Sequence, residues 1–440
     1  MSTAAEPEKS NQANNLRNRT ILDGIFGLVL FTTITFVLAP PPAAVFQVTD
    51  LSEFYCGAAL FQAGRSAEIY DVARFFPFQI ETFPALGTRA VPLYVAPFGL
   101  PFLLPLLIFP TAVAYLCTKV LLIACFLVGL YLLVRVFKLS SRWFMWLSAI
   151  LPFSGPVWEA LRIEQVSPML FLSMAAHLYF LERKRPVLSA LCLLPFLVKP
   201  HLAVTMVAFH LGGCRFRFCL AFLGFSLAFL IASYFYCGAD TYKNYFALLK
   251  FSMQDLRWMN PEATPTLRGQ LLRLSVLPTA TVNSLTSAFF ALLQLFLVGF
   301  GFKLRRKSVA QAAAMVALPV GLVFSLHCYS YDLVLILPAV ILAFHGAFLA
   351  LGENLSLSAA SPSLLRRQMP LLIPVFFVLG LLVPVLSFCL PFYALIHYVF
   401  TLRDSVINYH FILLLALTIY LVVDGFRQLQ GLKWLRPSPV

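Results

Sequence analysis

The chain is predicted to be an all-α polytopic membrane protein, and three features of the sequence carry that reading. Hydrophobic residues make up 60% of the 440 and charged residues only 11%, against about 25% charged in soluble domains. The mean hydropathy is +0.86. Unbroken apolar stretches recur at 112–134, 218–237, 276–302, 333–351 and 411–423, and a helix needs roughly 20 apolar residues to cross the hydrocarbon of a bilayer. A soluble globular enzyme is excluded. The net charge of +14 invites a nucleic-acid partner, but the Lys and Arg fall in short runs between apolar segments. Membrane topology explains them, and no nucleic-acid partner is expected.

The first element is a cytoplasmic tail at 1–20, whose Arg17 and Arg19 precede an apolar helix over 21–38. That helix is read as uncleaved, because Pro40-Pro41-Pro42 follow it without a convincing cleavage site. A first outer loop at 40–91 is too polar for the bilayer and mixes apolar with charged residues at 51–63 and 67–78. Both segments are expected to form short interfacial helices along the membrane surface. Residues 93–134 are apolar but broken by Pro97, Pro101, Pro105 and Pro110, so the number of crossings there is left open. Residues 152–167, a second large loop at 238–273 and the turn around His327 complete the outer side.

Arg183-Lys184-Arg185, Arg215 with Arg217, Lys303 to Lys307, Arg366-Arg367 and Arg427 to Arg436 mark the cytoplasmic side. Residues 21–352 are expected to form the transmembrane catalytic region. A small-residue cytoplasmic linker at 353–369 follows, and then C-terminal helices with a basic tail at 370–440. About 12 transmembrane helices, an even number, leave both termini in the cytoplasm. No internal repeat of the kind found in duplicated transporters is visible. The nine Cys form no C-x-x-C pair and no His stands at zinc spacing. The cysteines read as small packing residues, with no disulfide framework or metal site favoured.

In so apolar a chain the position of each ionisable residue is informative. Asp50 stands where the chain leaves the membrane, and Glu53, three positions on, shares its face if the segment is helical. A solvated surface or a helix cap is the alternative for Glu53, Glu68 and Asp71. Glu164-Gln165 follows Arg162. Arg162 and Glu164 can pair with each other, while Gln165 offers uncharged donors and an acceptor suited to sugar hydroxyls. Lys199-Pro200-His201 separates two apolar stretches, 187–198 and 202–211, each too short to span comfortably. A break of this kind is tolerated where it lines a cavity. The Lys199 ammonium there either meets an anion such as a lipid phosphate or snorkels to the interface.

His201 has a plainer alternative as a cap or a partner for nearby backbone. In the run His327-Cys328-Tyr329-Ser330-Tyr331-Asp332, His327 suits a phosphate oxygen or a hydroxyl, and Asp332 suits the positive end of the next helix. His177, His210, His345, His397 and His410 lie within or at the ends of apolar segments and read as hydrogen-bonded packing residues. Residues 260–270 of the second loop either cover a substrate or form plain surface.

The order of these pieces resembles the GT-C class of integral-membrane glycosyltransferases. Within it the likeness is to the bacterial family 87, related to mannosyltransferases that use polyprenyl-phosphate mannose. The likeness runs from Asp50 to about Leu342 and is carried by several short motifs. They are Thr49-Asp50-Leu51-Ser52-Glu53-Phe54-Tyr55, Ala63-Gly64-Arg65, Ile69-Tyr70-Asp71 and Tyr94-Val95-Ala96-Pro97-Phe98, then Glu164-Gln165-Val166, Lys199-Pro200-His201-Leu202 and Tyr331-Asp332-Leu333. Each is short, and their order carries the likeness. Where the family usually has Tyr-Pro-Pro and Gly-Gln-Asn, this chain has Tyr94-Val95-Ala96 and Glu164-Gln165-Val166, departures that bear on the sugar or the acceptor.

The resemblance implies a GT-C-like fold in the bacterial inner membrane with its active site facing the periplasm. It implies that a sugar, most often mannose, passes from a polyprenyl-phosphate donor to a lipid or glycan acceptor with inversion. Asp50 would be the general base, a role worth roughly 10² to 10⁴ in rate. Lys199 and His327 would hold the donor phosphate, and Glu53, Tyr55, Gln165, His201 and Tyr331 would contact substrate. An Asp at the ordinary pKa of about 3.9 is already ionised at neutral pH. The leaving group is already a phosphate anion, so no metal or other cofactor is expected. One carboxylate suffices, unlike the pair of most glycoside hydrolases. The rival reading is a transporter or flippase for a lipid-linked or anionic solute, with the same residues lining a pathway; a non-catalytic scaffold is a second rival.

Overall fold

The computed structural model describes residues 49–254, 261–305, 310, 313–342, 345, 395 and 408–429. The expectations for 1–48, for the linker at 353–369 and for nearly all of 370–407 lie outside the described residues. All regular structure among the described residues is helical.

Helix α1 (Leu51–Gln62) ends at Gly64, whose φ of +71° lets the Arg65 N–H turn back to the Leu60 carbonyl. A 3-10 turn (Ser66–Tyr70) leads to α2 (Val72–Thr82), capped by the Asp71 carboxylate, which accepts from the Ala73 N–H at 3.0 Å. Two short helices therefore occupy residues 51–82. The first does not lie exposed along a surface, because Ser52, Glu53, Phe54, Cys56, Ala58 and Leu60 are all buried. Beyond Glu53 it is apolar on nearly every side, and such a helix packs inside protein; its partner is the run Pro97–Ile108.

Pro97, Pro101 and Pro105 recur at every fourth position of that run. Each interior proline removes a donor and clashes with the carbonyl four residues earlier, so Pro97–Ile108 winds as a 3-10 helix and not as the first half of an α-helical span. The long helix begins only after Pro110: α3 (Thr111–Val136) has 26 residues, about 39 Å at 1.5 Å per residue. Residues 93–134 thus contain one long helix.

Four shorter helices follow: α4 (Ser141–Ile150), α5 (Gly155–Arg162), α6 (Ser167–Glu182), which packs along α3, and α7 (Pro186–Leu193). The expected break is present. A 3-10 turn (Leu194–Val198) ends at Lys199, whose φ of −126° and ψ of 73° are not helical, and α8 (Pro200–Gly212) starts with its proline in the first turn. Then come α9 (Phe216–Cys237), stopped by Gly238 at φ +83°, α10 (Ala239–Gln254), α11 (Leu267–Leu274), α12 (Thr279–Leu304) and α13 (Leu318–Val323). A 3-10 segment (Ser330–Ile336) and α14 (Tyr409–Leu429) complete the described chain.

Helices α3, α9 and α12 are long and apolar enough to cross a membrane, and shorter apolar helices stand at Pro97–Ile108, Pro186–Val198, Ser330–Leu342 and Tyr409–Val423. The outer faces of α9 and α12 expose Leu220, Leu223, Phe235, Leu292 and Leu295, a continuous apolar surface suited to lipid. The chain is a multi-pass membrane protein.

The apolar interior has two parts. One joins α3, α5 to α9, α12 to α14 and the segment from Leu333 to Leu342; the other joins α1, the loop up to Leu100 and residues of α9 and α10. Val166 and Leu197 touch both. Helix α8 crosses α12 backbone to backbone: a Cβ on Gly212 would stand 1.9 Å from the Val298 carbonyl oxygen, and one on Gly301 would stand 2.2 Å from that of Phe209. Small residues at a crossing allow this approach, and it fixes the helix that begins beside Lys199. His177 and His210 serve as packing residues, with their Nε2 atoms 3.1 Å apart and Ser189 Oγ 2.8 Å from His177 Nδ1. The described cysteines are free thiols.

Candidate active site

Four segments distant in sequence meet at the seam between the two cores. The first is the start of α1. The Asp50 N–H donates to the Ile163 carbonyl at 3.2 Å, which ties α1 to the turn after α5, while the Asp50 carboxylate caps nothing on its own helix. Burial pushes that carboxyl up to about 7; Glu164 adds to the rise, and Arg162 and Lys199 pull against it. The expectation of an ordinary, fully ionised aspartate is thus corrected, because the group is mostly withdrawn from water and faces another acid. Glu53, one turn on, is buried, and burial together with Asp50 holds its carboxyl well above the usual range.

The second segment is the turn at 162–167. The Gln165 N–H bonds back to the Ala160 carbonyl at 2.9 Å, closing α5 with Glu164 in the left-handed region at φ +57°. This geometry separates Glu164 from Arg162. Arg162 is exposed, whereas Glu164 is buried with its carboxylate 3.5 Å from Lys119 Nζ of α3. Of the two readings left open for Glu164, the pair with Arg162 is not formed; its ion pair is with Lys119. Burial lifts the Glu164 carboxyl to about 7, against the opposing pull of Thr49 and Lys119. Gln165 is largely buried at the same turn.

The third and fourth segments are Lys199 and the run 327–332. Lys199 Nζ lies 2.5 Å from Asp332 Oδ2. Asp332 also accepts from Ser167 Oγ at 2.7 Å and from the Tyr329 N–H at 3.1 Å, so it caps the Ser330–Ile336 segment as expected. Lys199 is consequently anchored in protein and does not snorkel. Its ammonium stands 5.4 Å from the centroid of the Tyr331 ring, and Ser330 Oγ donates to Glu159 Oε2 at 2.8 Å.

The His327 ring lies edge-on to Tyr329, centroids 4.7 Å apart, and 6.0 Å from Tyr94; Tyr329 continues to Tyr331 at 5.3 Å. Burial, and then Lys199, depress the His327 imidazole to about 4. At neutral pH it is an uncharged hydrogen-bonding group. His201, behind Lys199, has a buried Nε2 with no hydrogen-bond partner among the described residues. Tyr55 is not brought into the cluster: on a helix it points roughly 140° away from Asp50, and it packs edge-on against Phe83 at 5.8 Å.

Sequence reasoning passed over three contributors. Tyr94 and Tyr329 complete an aromatic row, and their signal was the density of tyrosine around His327. Arg268 of α11 is buried and donates to Asn283 Oδ1 at 2.8 Å and to the Leu326 carbonyl at 3.0 Å, one residue before His327. The loop at 260–270 read equally as cover or as surface, and within it this guanidinium is buried against protein. Among the described residues no three His, Cys, Asp or Glu are placed to hold a metal together.

A carboxylate poised near neutrality, a fixed ammonium, an uncharged imidazole and a row of aromatic faces suit the transfer of a sugar from an anionic leaving group. Residues 96–338, more than half of the chain, match the model of glycosyltransferase family 87. The chain belongs to glycosyltransferase family 87. No curated protein and no solved structure gave a match. The family-87 segment includes Glu164, Lys199, Arg268, His327 and Asp332 but begins after Asp50 and Glu53, which the fold brings to it. As a family-87 glycosyltransferase the protein is a transferase that takes a sugar donor and an acceptor.

Proposed function

We propose that this family-87 enzyme moves mannose from a polyprenyl-phosphate donor to a hydroxyl of a lipid or glycan acceptor at the periplasmic face of the bacterial inner membrane, with inversion. One observation carries the reading. The turn at 162–167 holds both ends of the site: the Asp50 N–H bonds to its Ile163 carbonyl, and its Ser167 Oγ donates to Asp332, the partner of Lys199.

Ionised Asp50 accepts the acceptor's proton as that oxygen forms its bond to the anomeric carbon, and the bond from that carbon to the phosphate oxygen breaks. The charge that grows on the departing polyprenyl phosphate meets the Lys199 ammonium and an N–H of neutral His327. A base with a pKa close to the working pH is the effective kind. Tyr331, Tyr329 and Tyr94 offer faces to the sugar ring, while Glu53, Gln165 and His201 offer polar atoms to its hydroxyls.

Helix polarity supports the periplasmic placement. Helices α6, α8 and α12 each start near the site, at Ser167, Pro200 and Thr279, and each leads at its other end to basic residues, Arg183, Arg215 and Arg305. Basic ends mark the cytoplasmic side, so the site falls on the opposite one.

The test uses the full chain in liposomes made with lipid extracted from the source membranes, supplied with polyprenyl-phosphate mannose labelled in the sugar. Label appearing in a new glycolipid or glycan, with one polyprenyl phosphate released per transfer and the anomeric configuration inverted, is the expected result. Label that crosses the bilayer on intact donor would overturn the enzyme reading in favour of transport.

A further inference from the structure

We propose that the buried pair Lys119–Glu164 is a positioning device for Asp50, acting through the turn that ends α5. This inference rests on Asp50 being the base. Glu164 itself touches no reacting atom in this scheme.

The geometry begins with the backbone. Five non-glycine residues of the described chain have positive φ: Lys138, Glu164, Lys184, Cys214 and Ser275. Glycine occupies such helix-end positions without penalty, and any other residue there is mildly strained. Four of the five point their side chains into solvent or lipid, being exposed, whereas Glu164 is 1% exposed. The turn thus accepts both a strained backbone and a buried carboxylate, a combination that a merely structural helix stop does not require.

Among the described residues the buried carboxylate has one ion-pair partner. Lys119 Nζ lies 3.5 Å from Glu164 Oε1 and donates to Tyr115 Oη at 2.5 Å. Lys119 and Tyr115 belong to α3, so the pair pins the α5 turn to a long span. The residue before Glu164 supplies the carbonyl that receives the Asp50 N–H at 3.2 Å. Span, turn and base are joined in one chain of contacts: Tyr115 to Lys119, Lys119 to Glu164, and Ile163 to Asp50.

The charges agree with the contacts. Groups that act on the Asp50 carboxyl are Glu53 on its own helix, Glu164, Arg162 and Glu159 from α5 and its turn, and Lys199 from the break before α8. Tyr329 and Tyr331 feel Asp50 from the facing segment. Glu164 is the largest of the charged contributors that raise Asp50. Wherever Glu164 is ionised its charge holds the Asp50 proton, so its removal shifts the upper part of the acidic limb of the rate profile to lower pH.

The experiment compares wild type, Glu164→Gln, the double variant Lys119→Met with Glu164→Leu, and Asp50→Asn. Each is the full chain in liposomes with labelled polyprenyl-phosphate mannose and source-membrane lipid. Glu164→Gln is expected to lose about 10- to 100-fold in kcat with donor KM little changed, and its acidic limb is expected to shift to lower pH. The double variant removes both charges together and keeps the interior neutral, so it folds, yet kcat stays low. A double variant with wild-type kcat would show the pair to be structural and overturn the inference. So would Glu164→Gln with wild-type kcat and an unmoved limb while Asp50→Asn is inactive. If Asp50→Asn itself transfers at the wild-type rate, the base reading falls, and the positioning role falls with it.

Discussion

Lys199 and Asp332 form a buried ion pair with Nζ 2.5 Å from Oδ2, and the carboxylate is completed by Ser167 Oγ and the Tyr329 N–H. The pair fixes an ammonium at the head of α8 and the backbone of the 329–332 turn at once. Asp332→Ala would remove the carboxylate that anchors the partly buried Lys199 ammonium. Its expected cost is about 1–3 kcal/mol, read as a lowered melting temperature in detergent. Lys199→Met leaves Asp332 with two donors, so the expected outcome is a folded protein whose donor KM rises by roughly 10-fold or more.

The pH dependence follows from Asp50. Its carboxyl is raised from 3.8 to about 7, so it holds its proton longer in the folded protein than in the unfolded chain. Below about 4 both states are protonated and the group is neutral to stability; between about 4 and 7 the unfolded chain ionises while the folded group keeps its proton, so the folded state loses stability until the loss levels off above 7. Thermal stability should therefore decline between about pH 4 and 7, and Asp50→Asn should flatten the decline, raising the melting temperature at about pH 8. Transfer should rise over the same range as Asp50 ionises. A rate that falls as pH rises through 7 would be inconsistent with this base.

The crossing of α8 and α12 brings the two backbones into direct contact at Gly212 and Gly301. Gly301→Ala places a Cβ 2.2 Å from the Phe209 carbonyl oxygen, and two backbones must separate to admit it. A loss of about 1–3 kcal/mol is expected, with activity falling because α8 carries Lys199 at its start. Gly224, where a Cβ meets nothing within 4 Å, serves as the comparison. Gly224→Ala should leave both melting temperature and rate unchanged.

Arg268 links α11 to the His327 turn through Asn283 and the Leu326 carbonyl. Arg268→Lys keeps the charge but cannot hold both acceptors with one planar group. The expected outcome is a drop of about 10-fold in kcat/KM with little change in expression. Retained wild-type kcat/KM would separate this loop from the site.

Much of this was legible because few ionisable residues sit in an apolar chain. The break at Lys199-Pro200-His201 could be read from a proline following a lysine between two short apolar stretches, and the structure breaks there. Asp332 as a cap followed from its place before an apolar run; that it also holds Lys199 did not, since the partners lie far apart in sequence. The Pro-rich run at 97–108 left its crossings open, because periodicity cannot show that prolines four apart impose 3-10 winding. Glu164 looked like a partner for Arg162 by proximity in sequence. The left-handed turn that sends it to Lys119 instead depends on the close of α5, which composition does not reveal.

The most direct measurement is the initial rate of sugar transfer from the proposed polyprenyl-phosphate mannose donor by Asp50→Asn, in liposomes and with donor saturating, alongside a folding check by melting temperature. With Asp50 as the base, the rate should fall roughly 10² to 10⁴-fold in a protein at least as stable as wild type. A folded Asp50→Asn enzyme that transfers at the wild-type rate would contradict the proposed chemistry.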